Sequence, residues 1–291
     1  MRFVELKRSY RRRGTLDLPI SVYFDNASVA GKNPIPEYHP EIELVRVLSG
    51  HVVLQLGGVS RTFRTGDIFL IPSNTVHCYR YFSEDARFCT VTFSADALAM
   101  QPEHFFHKAF VEPLFEGRLQ LPLVIQPGHP AYEELCAQLD SLSDARMFTK
   151  HYQARRFAIL INICVLLLPH CELSSQDAIA ADSGNETIRK CMLYIHNRYA
   201  AKITLQGIAN HCHLHPNYLC ALFKAYTGQT LFDYLSQVRV ETAAQLLKNE
   251  ELPMAKISEL VGFHSESMFY RKFKELMGTT PKAYAKAHRH N

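Results

Sequence analysis

Histidine and cysteine are the side chains most apt to hold a metal or react near neutral pH, and this 291-residue sequence carries 15 and eight of them. Three histidines, His211, His213 and His215, crowd one short stretch. They are donors of the kind zinc takes, yet no fourth ligand stands at suitable spacing, and Cys212 between them points elsewhere on a helix. No metal is expected there. The eight cysteines, at positions 78, 89, 136, 164, 171, 191, 212 and 220, include no C-x-x-C pair. Met1 to Tyr10 is charged and no apolar run follows it. No signal peptide is therefore read, and free thiols in a reducing cytoplasm are expected. The longest apolar run, Ala158 to Leu168, includes Asn162 and is too short to cross a bilayer, so no membrane partner is expected.

The elements behind these residues announce themselves by repetition. Leu219, Phe223, Lys224, Gly228 and Thr230 recur 50 residues later as Phe269, Phe273, Lys274, Gly278 and Thr280. Within each copy the apolar residues fall three and four apart, one buried helical stripe, and the glycine stands where a left-handed residue ends a helix. A shorter apolar stretch precedes each copy: Ile203, Leu205, Ile208 and Ala209, then Met254, Ile257, Leu260 and Val261. Ala209 and Ser258 are small enough for two helices to cross closely. A short helix, a tight turn and a second helix opening at Pro216 or just after Ser265 is a helix-turn-helix pattern. Leu231, Tyr234, Leu235, Val238, Ala243, Leu246 and Leu247 mark one long helix between the two. Two heads on a rigid rod form a DNA-binding layout.

Pro216-Asn217-Tyr218-Leu219, Phe223-Lys224, Gly228, Tyr234, Arg239, Ala243, Leu246-Leu247, Gly262-Phe263, Phe269, Phe273-Lys274, Gly278 and Pro281-Lys282-Ala283-Tyr284 together resemble the DNA-binding domain of AraC-family transcription regulators. Where that family usually has a capping Ser before the first recognition helix, this chain has His215, so the cap is weaker or a ring nitrogen does the job. The resemblance implies that Asn217, Cys220 and Ala221 face DNA from the first head and Glu266, Ser267, Tyr270 and Arg271 from the second. Cys and Ala bond poorly to base edges, so the first head reads mostly thymine methyls and groove shape. Arg271 can grip guanine and Glu266 can accept from a cytosine amino group, each worth ~1–3 kcal/mol of discrimination. Lys224 and Lys274 either touch phosphate or simply favour the negative end of a helix dipole. The heads should enter successive grooves about 34 Å apart.

Charge agrees with this division. From Asn185 onward there are 14 Lys and Arg against 8 Asp and Glu, a balance of +6, while the remainder, 18 against 20, carries −2. A basic end and a mildly acidic front fit nucleic acid on one side and a small molecule on the other.

The front half changes period. Ser21 to Phe24, Ile42 to Leu48, His51 to Leu56, Val59 to Phe63, Asp67 to Ile71 and Phe88 to Phe93 read as strands, with turns at Ser49-Gly50, Gly57-Gly58 and Gly66-Asp67. Short, regularly spaced strands suggest a closed or jelly-roll barrel. Tyr38 to Leu44, and Gly66-Asp67 through Pro72 to His77, resemble the two motifs of the cupin barrel, the second more fully than the first. Metal-binding cupins bring several nitrogen and oxygen ligands to one point, and the corresponding positions here read Glu37, His39, Glu43 and His77. The expectation drawn is that no metal or other cofactor is needed. Instead His39, Glu43 and His77, with Tyr38, Arg46 and Tyr79, line a pocket for a small polar effector, which the resemblance makes a sugar or a related metabolite. A bland alternative leaves His39 and His77 as satisfied barrel histidines.

From Tyr132 to Leu168 the period is helical again, with stripes Leu135, Leu139, Leu142 and Phe157, Leu160, Ile163, Leu167 either side of a break near Thr149. Helices in this place imply a homodimer contact by the same resemblance. The basic run Lys7 to Arg13 reads as a solvated face, or as an arm folding over a ligand.

The fold expected is therefore α+β in two domains. Residues 1–171 form a cupin-like barrel (about 15–130) with trailing helices (about 131–170), 172–186 a linker, and 187–291 an all-α domain of two helix-turn-helix motifs joined by a long helix. The expected function is regulation of transcription at a promoter or operator on double-stranded DNA, without enzymatic activity, with RNA polymerase a candidate partner. Two other readings stay open: a metal-dependent cupin enzyme fused to a DNA-binding module, and a regulator whose barrel is only a scaffold.

Overall fold

In the computed structural model, the described residues are 20–26, 35–94, 98, 104–115, 118–143, 151–173, 183–249 and 252–288. The basic run Lys7 to Arg13 lies outside them. The chain divides into two compact units, one holding Glu37–Ser183 and the other Gly184–Asn291.

The first unit begins with seven strands: β1 (Ile20–Asn26), β2 (Ile42–Ser49), β3 (His51–Leu56), β4 (Val59–Arg64), β5 (Ile68–Ile71), β6 (His77–Phe82) and β7 (Arg87–Phe93). Short strands β8 (Leu119–Gln120), β9 (Val124–Ile125) and β10 (Glu172–Leu173) follow. They make two larger sheets, ordered β1-β7-β2-β5-β9 and β4-β3-β6, while β8 pairs with β10. The paired strands are antiparallel. This is the jelly-roll sandwich of a cupin. Strand β6 is an addition to the strands read from sequence.

Strand β2 is central and buried on both faces, so its apolar residues run almost without break. Val45 and Val47 point between the sheets, where they meet Leu54, Phe63, Phe69, Ile71 and Phe88. Ile42 and Leu44 point the other way, into a second core. There a third layer covers the large sheet: the short helix α1 (Glu112–Phe115), α2 (Tyr132–Ser143) and α3 (Tyr152–Leu167). The stripes Leu135-Leu139-Leu142 and Leu160-Ile163-Leu167 both enter this core. They are satisfied within their own unit and do not by themselves call for a partner chain. The outward face of α3 is exposed, with Val165 51% accessible.

Helix α3 and the turn after it, Tyr152–His170, make 19 residues, long and apolar enough to cross a membrane by length and composition. The expectation of too short a run counted only its apolar middle. Leu160, Ile163, Cys164 and Leu167 lie in the core against the sheet, so the helix belongs to the first unit.

The linker is also shorter than 172–186: Glu172–Leu173 pairs with Leu119–Gln120, and the next helix opens at Ser183. The stretch between them, 174–182, lies outside the described residues.

The second unit is all helix: α4 (Ser183–Arg198), α5 (Leu205–His211), α6 (Pro216–Thr227), α7 (Leu231–Asn249), α8 (Met254–Leu260), α9 (Glu266–Met277) and α10 (Pro281–His288). The pairs α5/α6 and α8/α9 are the two helix-turn-helix heads and α7 is the rod. Ala209 and Ser258 are buried at the crossings, where Leu214 N–H bonds to the Ala209 carbonyl and Phe263 N–H to that of Ser258. Gly228 (φ +71°) and Gly278 (φ +73°) end α6 and α9 in the left-handed conformation. Ser265 caps α9 by accepting from Met268 N–H, and His215 caps α6 through Nδ1, which accepts from Asn217 N–H at 3.3 Å. A ring nitrogen thus does the work of a serine hydroxyl.

Candidate effector site and nucleic-acid interface

Where the small sheet meets the end of β2, side chains of opposite character converge in an otherwise apolar interior. Glu37 and His77 exchange backbone hydrogen bonds at 2.9 Å each way. Asn74 N–H donates to the His39 carbonyl and the Ser73 hydroxyl to that of Pro40, lacing segment 37–40 to segment 73–77. His39, Glu43 and His77 are 5%, 1% and 0% exposed. His39 Nε2 lies 3.2 Å from Glu43 Oε1, His77 Nε2 lies 3.8 Å from Glu37 Oε1, and the two rings stand nearly perpendicular with centroids 5.0 Å apart. The Tyr79 hydroxyl donates to Glu43 Oε2 at 3.3 Å.

The tautomers follow from the far nitrogens. His39 Nδ1 meets the Glu41 carbonyl at 3.0 Å and His77 Nδ1 meets the Thr75 carbonyl at 2.9 Å. A carbonyl only accepts, so each Nδ1 carries hydrogen and, in the neutral ring, each Nε2 carries the lone pair. This backbone-anchored arrangement is how metal-binding imidazoles are commonly held. One donor atom from each of His39, Glu43 and His77 lies within 4.8 Å of the others, the one such group among the described residues. Two imidazole nitrogens and a carboxylate oxygen make a donor set whose chemistry fits a divalent transition metal.

Of the residues assigned to the effector pocket, His39, Glu43, His77 and Tyr79 come together, and Tyr38 is buried beside His39 in the chain. Arg46 does not join them. It faces the helical layer and pairs with Asp140 of α2 at 2.9 Å, because residues 43 and 46 of one strand point to opposite faces. Sequence reasoning missed Glu41, 2% exposed, whose Oε2 lies 3.5 Å from His39 Nδ1. Its signal was available: 39, 41 and 43 share a parity.

The second surface lies on α6 and α9. Asn217, Cys220, Ala221 and Lys224 are all exposed, and so are Glu266, Ser267, Arg271 and Lys274, with Tyr270 half-buried among them. The spacing of three and four puts each set on one helix face opposite its buried stripe, Leu219 and Phe223 or Phe269 and Phe273. Two unassigned residues share these helices: Tyr218, 57% exposed, and Met268, 48% exposed, at equivalent repeat positions. Their signal was a large apolar side chain just off the buried stripe. Lys272 is drawn instead toward Asp233 and Glu275, at 3.6 and 3.1 Å. The crowded histidines have separate duties: His211 packs on Tyr194, His213 takes the left-handed turn at φ +55°, and His215 caps α6.

A cupin sandwich and a double helix-turn-helix unit define a DNA-binding regulator of transcription. Residues 208–287 match the family described as a helix-turn-helix domain and residues 29–92 the cupin domain. The uncharacterized HTH-type transcriptional regulator YdeC of Bacillus subtilis (strain 168) is 24% identical over 283 residues, covering 94% of this chain and 93% of its own. A putative AraC-like transcription regulator of Streptomyces antibioticus is 31% identical over 136 residues, 46% of this chain and 44% of its own. Among solved structures, the C-terminal domain of the two-component response regulator yesN from Fusobacterium nucleatum is 35% identical, with TM-score 0.32, over 33% of this chain and 93% of that one. The chain thus carries a cupin domain ahead of a helix-turn-helix domain of AraC type.

Proposed function

We propose that this regulator responds to a small polar effector bound at His39, Glu43, His77 and Tyr79. One observation carries the reading: imidazoles and carboxylates are buried together, on strands β2 and β6 and the segment before β2, beside the inward residues Val45, Val47, Leu54 and Ile71. Burying such groups costs several kcal/mol more than an aliphatic side chain at the same place, on the order of the penalty for each desolvated ion. A cluster kept at that cost marks a binding site. Aromatic rings fill much of the remaining interior, Phe63 stacked on Phe69 at 4.1 Å and Tyr79, Phe82 and Phe88 stacked together. The effector is accordingly small, and a sugar or related metabolite supplies hydroxyls to match the carboxylates. Binding shifts the presentation of the DNA-binding unit by no more than the effector's differential affinity for the two arrangements. The regulator works in the cytoplasm as a homodimer, for which the outward face of α3 around Val165 offers an apolar surface. RNA polymerase is the further partner at an activated promoter.

A second reading is favoured by the two rings anchored through Nδ1: His39, Glu43 and His77, with Glu37, would hold a divalent metal, which would supply positive charge to an effector or a substrate.

Thermal unfolding of the whole chain against sugars, amino acids and small acids, with and without EDTA, separates the readings. A ligand at a hundred times its dissociation constant adds ~2.7 kcal/mol. A shift that EDTA leaves intact supports the organic effector, and one that EDTA abolishes supports the metal. No shift with any ligand or with Zn, Mn or Fe leaves the barrel as a scaffold and ends both.

A further inference from the structure

Helix α7 changes partners half-way along. Tyr234 and Val238 serve the first head: the Tyr234 ring lies 5.5 Å from Phe223, and its hydroxyl is hydrogen-bonded to His196 Nε2 at 2.8 Å. Val240, Ala243, Ala244 and Leu247 belong to the core of the second head with Ile257, Val261, Phe269 and Phe273. Arg239 stands at the changeover. Its Nε donates to the Tyr199 carbonyl at 2.8 Å, an Nη donates to the Ala201 carbonyl at 3.1 Å, and its guanidinium carbon lies 5.7 Å from the centre of the Phe263 ring.

These contacts join three separate pieces of chain. Tyr199 to Ala201 is the turn leaving α4, which packs with the first head. Phe263 closes the turn of the second head. Gly262 approaches the same turn closely: a Cβ there would stand 2.6 Å from the Tyr199 carbonyl oxygen and 2.8 Å from that of Ala200. The Tyr199 hydroxyl bonds to Thr242, three residues beyond Arg239 on α7. Two divergent charge-assisted hydrogen bonds and a ring contact from one side chain need a planar, forked cation, which lysine does not supply.

We infer that Arg239 is a positioning residue for DNA reading: by clamping the Tyr199–Ala201 turn against the turn of the second head, it fixes the angle between α6 and α9 and so the spacing between their two half-sites. The inference rests on both helices reading DNA. Arg239 itself touches no base in this scheme.

The test is selection of duplexes from a random pool by the full-length protein, alongside Arg239→Met. Wild type is expected to enrich two half-motifs at one spacing. The variant is expected to enrich the same half-motifs at several spacings and to bind the wild-type consensus about tenfold more weakly. If Arg239→Met does not fold by circular dichroism, Thr242→Val, which loosens the same turn and keeps the cation, is expected to broaden the spacing too. A folded variant that loses affinity equally for every duplex while keeping one sharp spacing overturns the inference. A wild-type motif with a single half-site overturns instead the reading of two heads on which it rests.

Discussion

His39 Nε2 lies 3.2 Å from Glu43 Oε1, four residues along the chain and deep between two sheets, while the far nitrogen of the same ring is tied to the Glu41 carbonyl. The ring therefore cannot turn to serve another partner without breaking a backbone bond. His39→Ala and Glu43→Gln should each abolish the effector- or metal-induced rise in melting temperature while leaving DNA affinity without effector within about twofold, as thermal shift and electrophoretic mobility measurements will show. Tyr79→Phe, which removes only the donor to Glu43, should cost about 1 kcal/mol of stability. An unchanged ligand response in His39→Ala would place the effector elsewhere.

Gly262 and Gly278 both have positive φ, yet their surroundings differ. Around Gly278 nothing lies within 4 Å of a would-be Cβ, so Gly278→Ala meets only the left-handed penalty, ~1–2 kcal/mol. Gly262→Ala meets that penalty and two carbonyl oxygens closer than 3 Å. A loss of about 3 kcal/mol or more is expected, and equal melting temperatures for the two variants would contradict the packing described.

Thiol reactivity follows burial. Burial pushes the Cys78 thiol up to about 11, and burial does the same to Cys171, also to about 11. The thiolate fraction of both is small at pH 8. Cys220 is exposed on the outward face of α6 and should take iodoacetamide first. Specific DNA should slow that labelling at least several-fold if α6 lies in a groove. Because the folded Cys78 value is raised, its stabilising contribution is whole below about pH 9, the thiol's ordinary value, and is lost as the pH climbs through about 11.

Arg271→Ala and Lys274→Ala should separate base reading from phosphate contact. The first is expected to relax preference at one base pair by ~1–3 kcal/mol. The second is expected to weaken binding to all sequences alike and to reduce the slope of log K against log salt by about 1. If Lys274→Ala leaves the slope unchanged, the lysine serves only the dipole of α9.

The repeat at 219–230 and 269–280 made the second unit legible because each of its parts is local: stripe, cap and terminal glycine lie within one helix. The first unit is held by pairings between distant strands, and there nearness in sequence misleads. Arg46 and Glu43 are close in the chain, yet the pleat sends them to opposite faces of β2. Strand β6 escaped notice because His77 and Cys78 are both buried, and a shift of register between Val53 and Leu54 disturbs its pairing with β3. The stripes on α2 and α3 were correct as helical faces, but periodicity does not say which surface a stripe meets. They meet the five-stranded sheet of their own unit.

Because α7 gives Tyr234 and Val238 to one core and Val240 and Leu247 to the other, neither head can open without stripping apolar surface from the rod that serves its neighbour. The amides at the middle of α7 should be the last of the second unit to exchange with deuterated solvent, and the heads should melt in one transition. In the history of such proteins, a head and its half of the rod would have to be replaced together.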